Sequence, residues 1–296
     1  MKEKTIYGTP GWVNTVLYPF TPKTFMTQEG AMSYLDEGTA VENQPVYLFL
    51  HGTPSWSYEY GDVIFTLRHK FRCIAPDMIG FGLSNKPVDF DYNLSTLAGH
   101  IYSLIEKLNL KNIRLVASDF GGPIGLTIAL RNPALFSRIY LCNTWAWPLE
   151  YVDSKFAFTK YLVGSPLMKY LYLRWNFSAT QLVKQAWGRH KPLTPEEHWM
   201  YQTVFKDKDK RMATWKFAQH ICNAGNPMWK IGKHLDQLKH IPMHFFWGFQ
   251  DKLINYKHYE EWRRRYPLAT KTKFELVGHF VCHEAAEEVI DILSKR

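Results

Sequence analysis

The sequence predicts an α/β fold: a mostly parallel β-sheet flanked by helices, with a block of helices inserted into it. Three observations carry this reading. Over the first 148 residues short apolar runs alternate with segments long enough for a crossover helix. After Pro242 the same alternation resumes. Between the two halves, residues 149–240 keep a helical apolar spacing and offer no convincing strand. The chain therefore divides into a core, 1–148 with 241–296, and a helical cap, 149–240.

The first strands are VYLFL (46–50), CIAP (73–76), IRLVA (113–117) and IYLC (139–142), each bounded by turn residues. Unbroken apolar runs of this length suit parallel strands covered on both faces. A crossover helix over Ser95 to Asn109 follows from Leu97, Ile101, Leu104, Ile105 and Leu108 at helical spacing. In the cap, Gly164, Pro166, Pro192 and Pro195 break the helical pattern into pieces. The second half adds MHFFW (243–247), a helix from Tyr256 to Arg265, a strand KFEL (273–276) and a closing helix from Glu284 to Leu293.

Composition excludes several classes. In 296 residues, 46% apolar and 21% charged side chains are enough for a large core, which rules out disorder and fibrous structure. No apolar run reaches the ~18 residues of a membrane span, and MKEKTIYGTPGW lacks a signal-peptide core, so a soluble cytoplasmic protein is expected. Cys73, Cys142, Cys222 and Cys282 lie far apart with no CxxC, which predicts buried thiols rather than bridges or metal ligands. The net charge of +9 resides wholly in residues 151–240, where 15 Lys and Arg face 6 Asp and Glu. Scattered singly, these residues read as a solvated face rather than a nucleic-acid site, with membrane contact through the basic cap as the less favoured alternative.

In an open parallel sheet, ligands bind beyond the carboxyl ends of the strands. Strand IRLVA ends in Ala117-Ser118-Asp119-Phe120-Gly121-Gly122, with small residues two before and two after Asp119. A sharp strand-to-helix turn needs small flanks, because it presses them against neighbouring backbone while lifting its apex side chain into the open. The apex is Asp119. No G-x-S-x-G is present, and Ser118 lies one position off the apex. MHFFW runs into Asp251, and KFEL into Val277-Gly278-His279. Nucleophile, acid and histidine in this chain order match the α/β-hydrolases. Asp251 would fix the tautomer of His279, leaving the other ring nitrogen to deprotonate water. A carboxylate nucleophile implies attack on an sp3 carbon, an alkyl-enzyme ester and its hydrolysis. The oxyanion of the second step would be held by the backbone N–H groups of Phe120 and of Thr53, in the loop after VYLFL.

The segments LYPF (17–20), YLDEG (34–38), HGTPSWSY (51–58), APDMIGFGLSNKP (75–87), SDFGGPIGL (118–126), NTWAWP (143–148) and VGHF (277–280) resemble the haloalkane dehalogenases and close relatives in the α/β-hydrolase superfamily. The cap segment LTPEEHWMYQTVFKDKDKRMATWKF (193–217) resembles them too. The resemblance implies an α/β-hydrolase fold, a small apolar substrate, carbon–halogen cleavage, no cofactor and no metal. It also implies substrate contacts from Trp187, near the place of a cap Trp in some dehalogenases, and from the cap Phe217; Trp145, just after strand IYLC, lines the route into the cap.

The departures lie where a leaving group would sit. Phe120 replaces the usual Trp whose indole N–H holds halide, Thr53 stands where an Asn often stands, and Ala218 replaces a Pro. The Thr53 hydroxyl and the Trp187 indole are the replacement donors. Asn143 occupies a place where some relatives carry a catalytic Glu, leaving Asp251 as the better acid. An epoxide or β-lactone would use the same aspartate chemistry, an epoxide with acid groups among Tyr151, Tyr161, Tyr170, Tyr172 and Tyr201. The reading from a different class is a non-catalytic ligand-binding protein.

Overall fold

A computed structural model describes residues 9–222 and 228–295. Eight strands form one sheet: β1 (Lys23–Thr27), β2 (Gly30–Glu37), β3 (Val46–Leu50), β4 (Arg72–Pro76), β5 (Ile113–Ser118), β6 (Phe136–Cys142), β7 (Met243–Gly248) and β8 (Thr270–Phe274). Their order is β1-β2-β4-β3-β5-β6-β7-β8. From β4 to β8 neighbours run parallel, whereas β1 and β2 pair antiparallel at one edge. This is the α/β-hydrolase architecture, as expected. The chain leaves β3 for β4 on one side and then crosses to β5 on the other, so the strand order reverses at β3. Such a reversal opens a crevice at the carboxyl ends of the two strands that flank it.

Helices α1 (Gly61–Leu67), α2 (Leu94–Lys107) and α3 (Gly121–Arg131) belong to the first half. On α2, Leu97, Ala98, Ile101, Leu104 and Ile105 are buried at helical spacing, and Asn93 caps its start by accepting from Ser95 N at 2.8 Å. Between β6 and β7 lie α4 (Leu149–Val152), α5 (Phe156–Val163), α6 (Pro166–Trp175), α7 (Val183–Ala186), α8 (Pro195–Thr203), α9 (Met212–Cys222) and α10 (Met228–His234), with no strand among the described residues. Pro166 and Pro195 open helices here, each at the first turn behind a capping Ser165 or Thr194. The second half closes with α11 (Tyr256–Arg265), α12 (Val281–Glu284) and α13 (Ala286–Leu293).

Three features differ from the sequence expectation. The hairpin β1–β2 goes unread in the sequence: β1 is short and polar, and β2, although eight residues long, breaks its apolar residues with Ser33 and lacks the unbroken runs of the central sheet. The last strand covers Thr270–Phe274 rather than 273–276. It is an edge strand whose Lys271 and Lys273 meet solvent, a pattern that hides the strand from an apolar search and blunts the edge. The closing helix breaks at Ala285, because the Glu284 side chain turns back to the loop before it. Cys73, Cys142 and Cys282 are buried and free, as expected, while the side chain of Cys222 lies outside the described residues.

Candidate active site

The sheet register aligns the strand ends from which the site is built. Leu50 pairs with Ala117, Ser118 with Cys142, Cys142 with Phe246, and Gly248 with Phe274. The loops that follow these residues therefore open on one edge.

Asp119 occupies the turn between β5 and α3 with φ +50°, a left-handed conformation that a non-glycine residue holds only where its surroundings impose it. Those surroundings demand glycine. A Cβ on Gly121 would lie 1.9 Å from the Leu50 carbonyl oxygen, and one on Gly52 would lie 2.2 Å from the Asp119 Cβ. Close approach of the β3 and β5 loops thus depends on missing side chains. The loop after β3 is anchored by His51, whose buried Nε2 accepts from Met78 N at 3.0 Å. Burial pushes this imidazole down to about 4, which keeps it neutral and able to accept. As a result the Thr53 N–H donates to Asp119 Oδ1 at 2.9 Å.

Asp119 is only 2% exposed, and its other oxygen, Oδ2, lies 3.4 Å from His279 Nε2. The far ring nitrogen, Nδ1, donates to Asp251 Oδ2 at 2.6 Å. Asp251 Oδ1 accepts in turn from Leu253 N at 2.8 Å and Ile254 N at 3.1 Å. Burial would raise the Asp251 pKa, but the charge and hydrogen bond of His279, with these two N–H groups, hold it below its ordinary value. Burial would likewise lower that of His279, and the Asp251 and Asp119 carboxylates outweigh it, raising the imidazole well above its usual range. In the free site the neighbouring carboxylates thus favour the protonated form of His279.

Two positioning roles escaped the sequence reading, which weighed Asn143 only as standing in the place of a catalytic Glu and did not weigh Glu284 as a site residue. Asn143 Nδ2 donates to Asp251 Oδ2 at 3.0 Å and to the Gly248 carbonyl at 2.9 Å, while its Oδ1 accepts from Gly248 N at 2.7 Å. It ties the end of β6 to the acid loop after β7. Glu284 accepts from the N–H groups of Gly188 at 2.7 Å, Gly278 at 3.0 Å and Phe280 at 3.2 Å, clamping the loop that carries His279. No local motif announces either role, because every partner except the Glu284 loop is distant in sequence.

Aromatic side chains wall the site. The Phe120 ring meets Trp145 at 5.0 Å and Phe217 at 4.5 Å, both edge-on and buried. Phe217 also meets Phe81 at 4.7 Å, so the inserted helices close over the strand ends through α9. Trp187 stacks near Phe280 at 5.7 Å, beside His279, but its indole N–H donates to the Lys191 carbonyl at 2.9 Å and is already engaged. Thr53 Oγ1, by contrast, is buried with no hydrogen-bond partner. Trp147 turns away to donate to His258 Nδ1 at 3.1 Å. Among the cap tyrosines weighed above, Tyr201 reaches the loop of His279, its ring 5.3 Å from that of Phe280, with its hydroxyl 2.7 Å from His283 Nδ1. Ser118 Oγ is buried and unpartnered beneath the turn. Among the described residues, no group of His, Cys, Asp or Glu is arranged to hold a metal ion.

Known proteins resemble this chain over most of its length. The model of the alpha/beta hydrolase fold family matches residues 45–286. Haloalkane dehalogenase 2 of Mycobacterium tuberculosis is 38% identical over 176 residues, 60% of this chain; the match spans only 59% of that relative's length. A cis-3-alkyl-4-alkyloxetan-2-one decarboxylase of Shewanella oneidensis is 30% identical over 284 residues, covering 93% of this chain and 87% of the relative. Among solved structures, a loop variant of a Bradyrhizobium elkanii haloalkane dehalogenase superposes with a TM-score of 0.81 at 22% identity, over 93% of this chain and 95% of that one. A dehalogenase from Agrobacterium tumefaciens gives 0.81 at 21% identity, over 95% and 97%. By sequence and by fold, the chain belongs to the α/β-hydrolase family, as an enzyme similar to the haloalkane dehalogenases.

Proposed function

We propose that this protein hydrolyses a carbon–halogen bond in a small apolar substrate, with Asp119 as nucleophile and His279 as general base. The observation that carries the reading is the unbroken line from Asp119 Oδ2 through His279 to Asp251, at 3.4 and 2.6 Å. Asp119 Oδ2 attacks the carbon from the side opposite the halogen, a C–O bond forms as the carbon–halogen bond breaks, and halide leaves with the bonding pair. The ester so formed has no charge at Asp119. One of the two carboxylates that hold the imidazolium is thereby lost, and His279 is released toward the neutral form that can take a proton from water. The resulting hydroxide adds to the Asp119 carboxyl carbon, and the oxyanion forms on Oδ1, where the Thr53 N–H already points. The Phe120 N–H is the second donor in this reading. Collapse expels the alcohol, which takes its proton from His279. The balance is haloalkane plus water to alcohol, halide and a proton.

Halide departure needs a donor, and an unreplaced hydrogen bond to an anion would cost roughly 1.5 to 3 kcal/mol, ten- to a hundredfold or more in rate. Phe120 supplies none from its side chain. The unpartnered hydroxyl of Thr53, whose N–H already meets Asp119, is suited to replace it. A second reading has its own support: the β-lactone decarboxylases align with nearly the whole chain, inserted helices included. A four-membered lactone opened by Asp119 at its alkyl carbon keeps its leaving carboxylate attached and needs no halide site; loss of CO2 then forms the alkene as the new C–O bond breaks and returns the Asp119 carboxylate.

The two readings separate in one experiment. The enzyme and its Asp119→Ala variant are given a bromoalkane and a cis-3,4-dialkyl β-lactone, with bromide and CO2 measured. Bromide release that vanishes in Asp119→Ala supports the dehalogenase reading. CO2 release without bromide moves the electrophile to the lactone, and neither product from either substrate overturns both.

A further inference from the structure

Helices α5 and α6 of the insert are each apolar on two faces. Inward, Phe156 joins the main core, and Tyr172 packs with Trp215 and Ala218 of α9. Outward, Phe158 is 80% exposed, with Tyr161 and Leu162 at three and four residues further along the same face. On α6, Leu167 and Tyr170, three residues apart, are also exposed, as is Trp175 at the helix end, 65% exposed. Single exposed apolar residues mean little, but six large ones on two successive helices mark a contact surface. Beside it, between α6 and the turn Lys208–Arg211, an open groove of about 480 Å³ continues the apolar surface with Val88, Leu173 and Met212.

The charge around this patch selects its occupant. From residue 154 to residue 195 the sequence holds seven Lys and Arg and not one Asp or Glu. Lys169 and Arg174 stand on α6 among the exposed apolar side chains, and with Lys208 they outnumber Asp209, the acidic residue of the groove's lining. Exposed Trp, Tyr, Phe and Leu interleaved with Lys and Arg is the composition of a helix lying in the headgroup layer of a bilayer. Two copies of so basic a face would repel each other, whereas anionic lipid attracts it. No helix among the described residues is long and apolar enough to cross a membrane, so the contact is one of lying on the surface.

We propose that the α5–α6 face docks the protein on an anionic phospholipid surface, its aromatic and leucine side chains inserted among the headgroups and its lysines and arginines on the phosphates. Composition alone favoured a solvated basic face; the exposed apolar side chains on α5 and α6 are what change that reading.

The test is vesicle flotation of the whole protein at about 0.15 M salt, where contacts between exposed charges are largely screened. Vesicles of phosphatidylcholine alone are compared with vesicles that also hold phosphatidylserine. The serine-containing vesicles should bind about tenfold or more tightly than neutral ones, and Lys169→Glu with Arg174→Glu should abolish that preference. Phe158→Ser with Leu162→Ser and Leu167→Ser should weaken binding by about tenfold or more while leaving the circular dichroism spectrum unchanged, since all three residues are exposed. As a measurement independent of those variants, brominated lipid should quench tryptophan emission of the wild type, and less so after Trp175→Phe. No binding to serine-containing vesicles at this salt overturns the proposal. So does binding that the triple serine variant leaves unchanged, which would be charge attraction alone. A concentration-dependent dimer in sedimentation, dissociated by the triple variant, would assign the patch to a second copy of the chain and overturn it as well.

Discussion

The Asn143 carboxamide and the Asp251 carboxylate meet at 3.0 Å, Nδ2 to Oδ2, across the ends of adjacent strands β6 and β7. That oxygen is the one His279 donates to. Asn143 therefore sets the position of the acid, and through it the tautomer and tilt of the imidazole, without touching a substrate.

Asp251→Asn should slow ester hydrolysis by about 10² to 10⁴, through the wrong tautomer and an unsupported imidazolium. Asn143→Ala should slow the same step by a smaller factor, about ten- to a hundredfold. Single-turnover kinetics distinguishes the steps: formation of the ester should change little in the Asn143 variant, and its decay should slow. Equal slowing of both steps would show that Asn143 supports the fold rather than the acid.

Phe120→Trp places an indole beside Asp119. If halide is the leaving group, bromoalkane turnover should rise by up to about ten- to a hundredfold, the worth of one hydrogen bond to an anion. The extra ring must fit against Trp145 and Phe217, already 5.0 and 4.5 Å from the Phe120 centroid, so turnover of a bulky lactone should fall. Unchanged bromide release, from a wild type that already releases it, would give the donor role to Thr53.

Much of this site was legible before the structure. Asp119, Asp251 and His279 announce themselves because each follows a strand and the small residues flanking Asp119 betray a tight turn. Asn143 and Glu284 do not, since Asn143 works on groups that only the folded sheet brings near, and no local motif marks the bonds of Glu284 to its own loop and to Gly188. Trp187 shows the opposite limit: its place in the chain is beside the site, but whether its N–H is free depends on the Lys191 carbonyl four residues away. The same holds for the edge strand β8, where solvent-facing lysines erase the apolar signal that marked β3 and β7.

Glu59 is fully buried near Asp119 and His279, and its Oε1 has no hydrogen-bond partner. Burial pushes its carboxyl up to about 7 from an ordinary 4.5. A pKa raised by folding contributes its stabilisation below the unfolded value and loses it as pH climbs through the folded one. Glu59→Gln, uncharged at every pH, should therefore gain on the wild type by roughly 3 kcal/mol between pH 4.5 and pH above 7, at about 1.36 kcal/mol per unit. Urea unfolding of both proteins at pH 4.5 and 8.5 checks this. A stability difference that is the same at both values would place the Glu59 titration elsewhere.

The central claim is that Asp119 carries the substrate as an ester. His279→Phe removes the base and keeps the nucleophile, so the first step should run once and stop. Mass spectrometry of the peptide containing Asp119, after incubation of this variant with a bromoalkane, an epoxide and a β-lactone in turn, reads the claim directly. The predicted result is a mass increase on Asp119 with one of the three, absent in the Asp119→Ala control: the alkyl group for the bromoalkane, the whole ring-opened compound for the epoxide or the β-lactone. The compound that leaves it names the electrophile. An unmodified Asp119 with all three, while the wild type turns one of them over, would contradict the account.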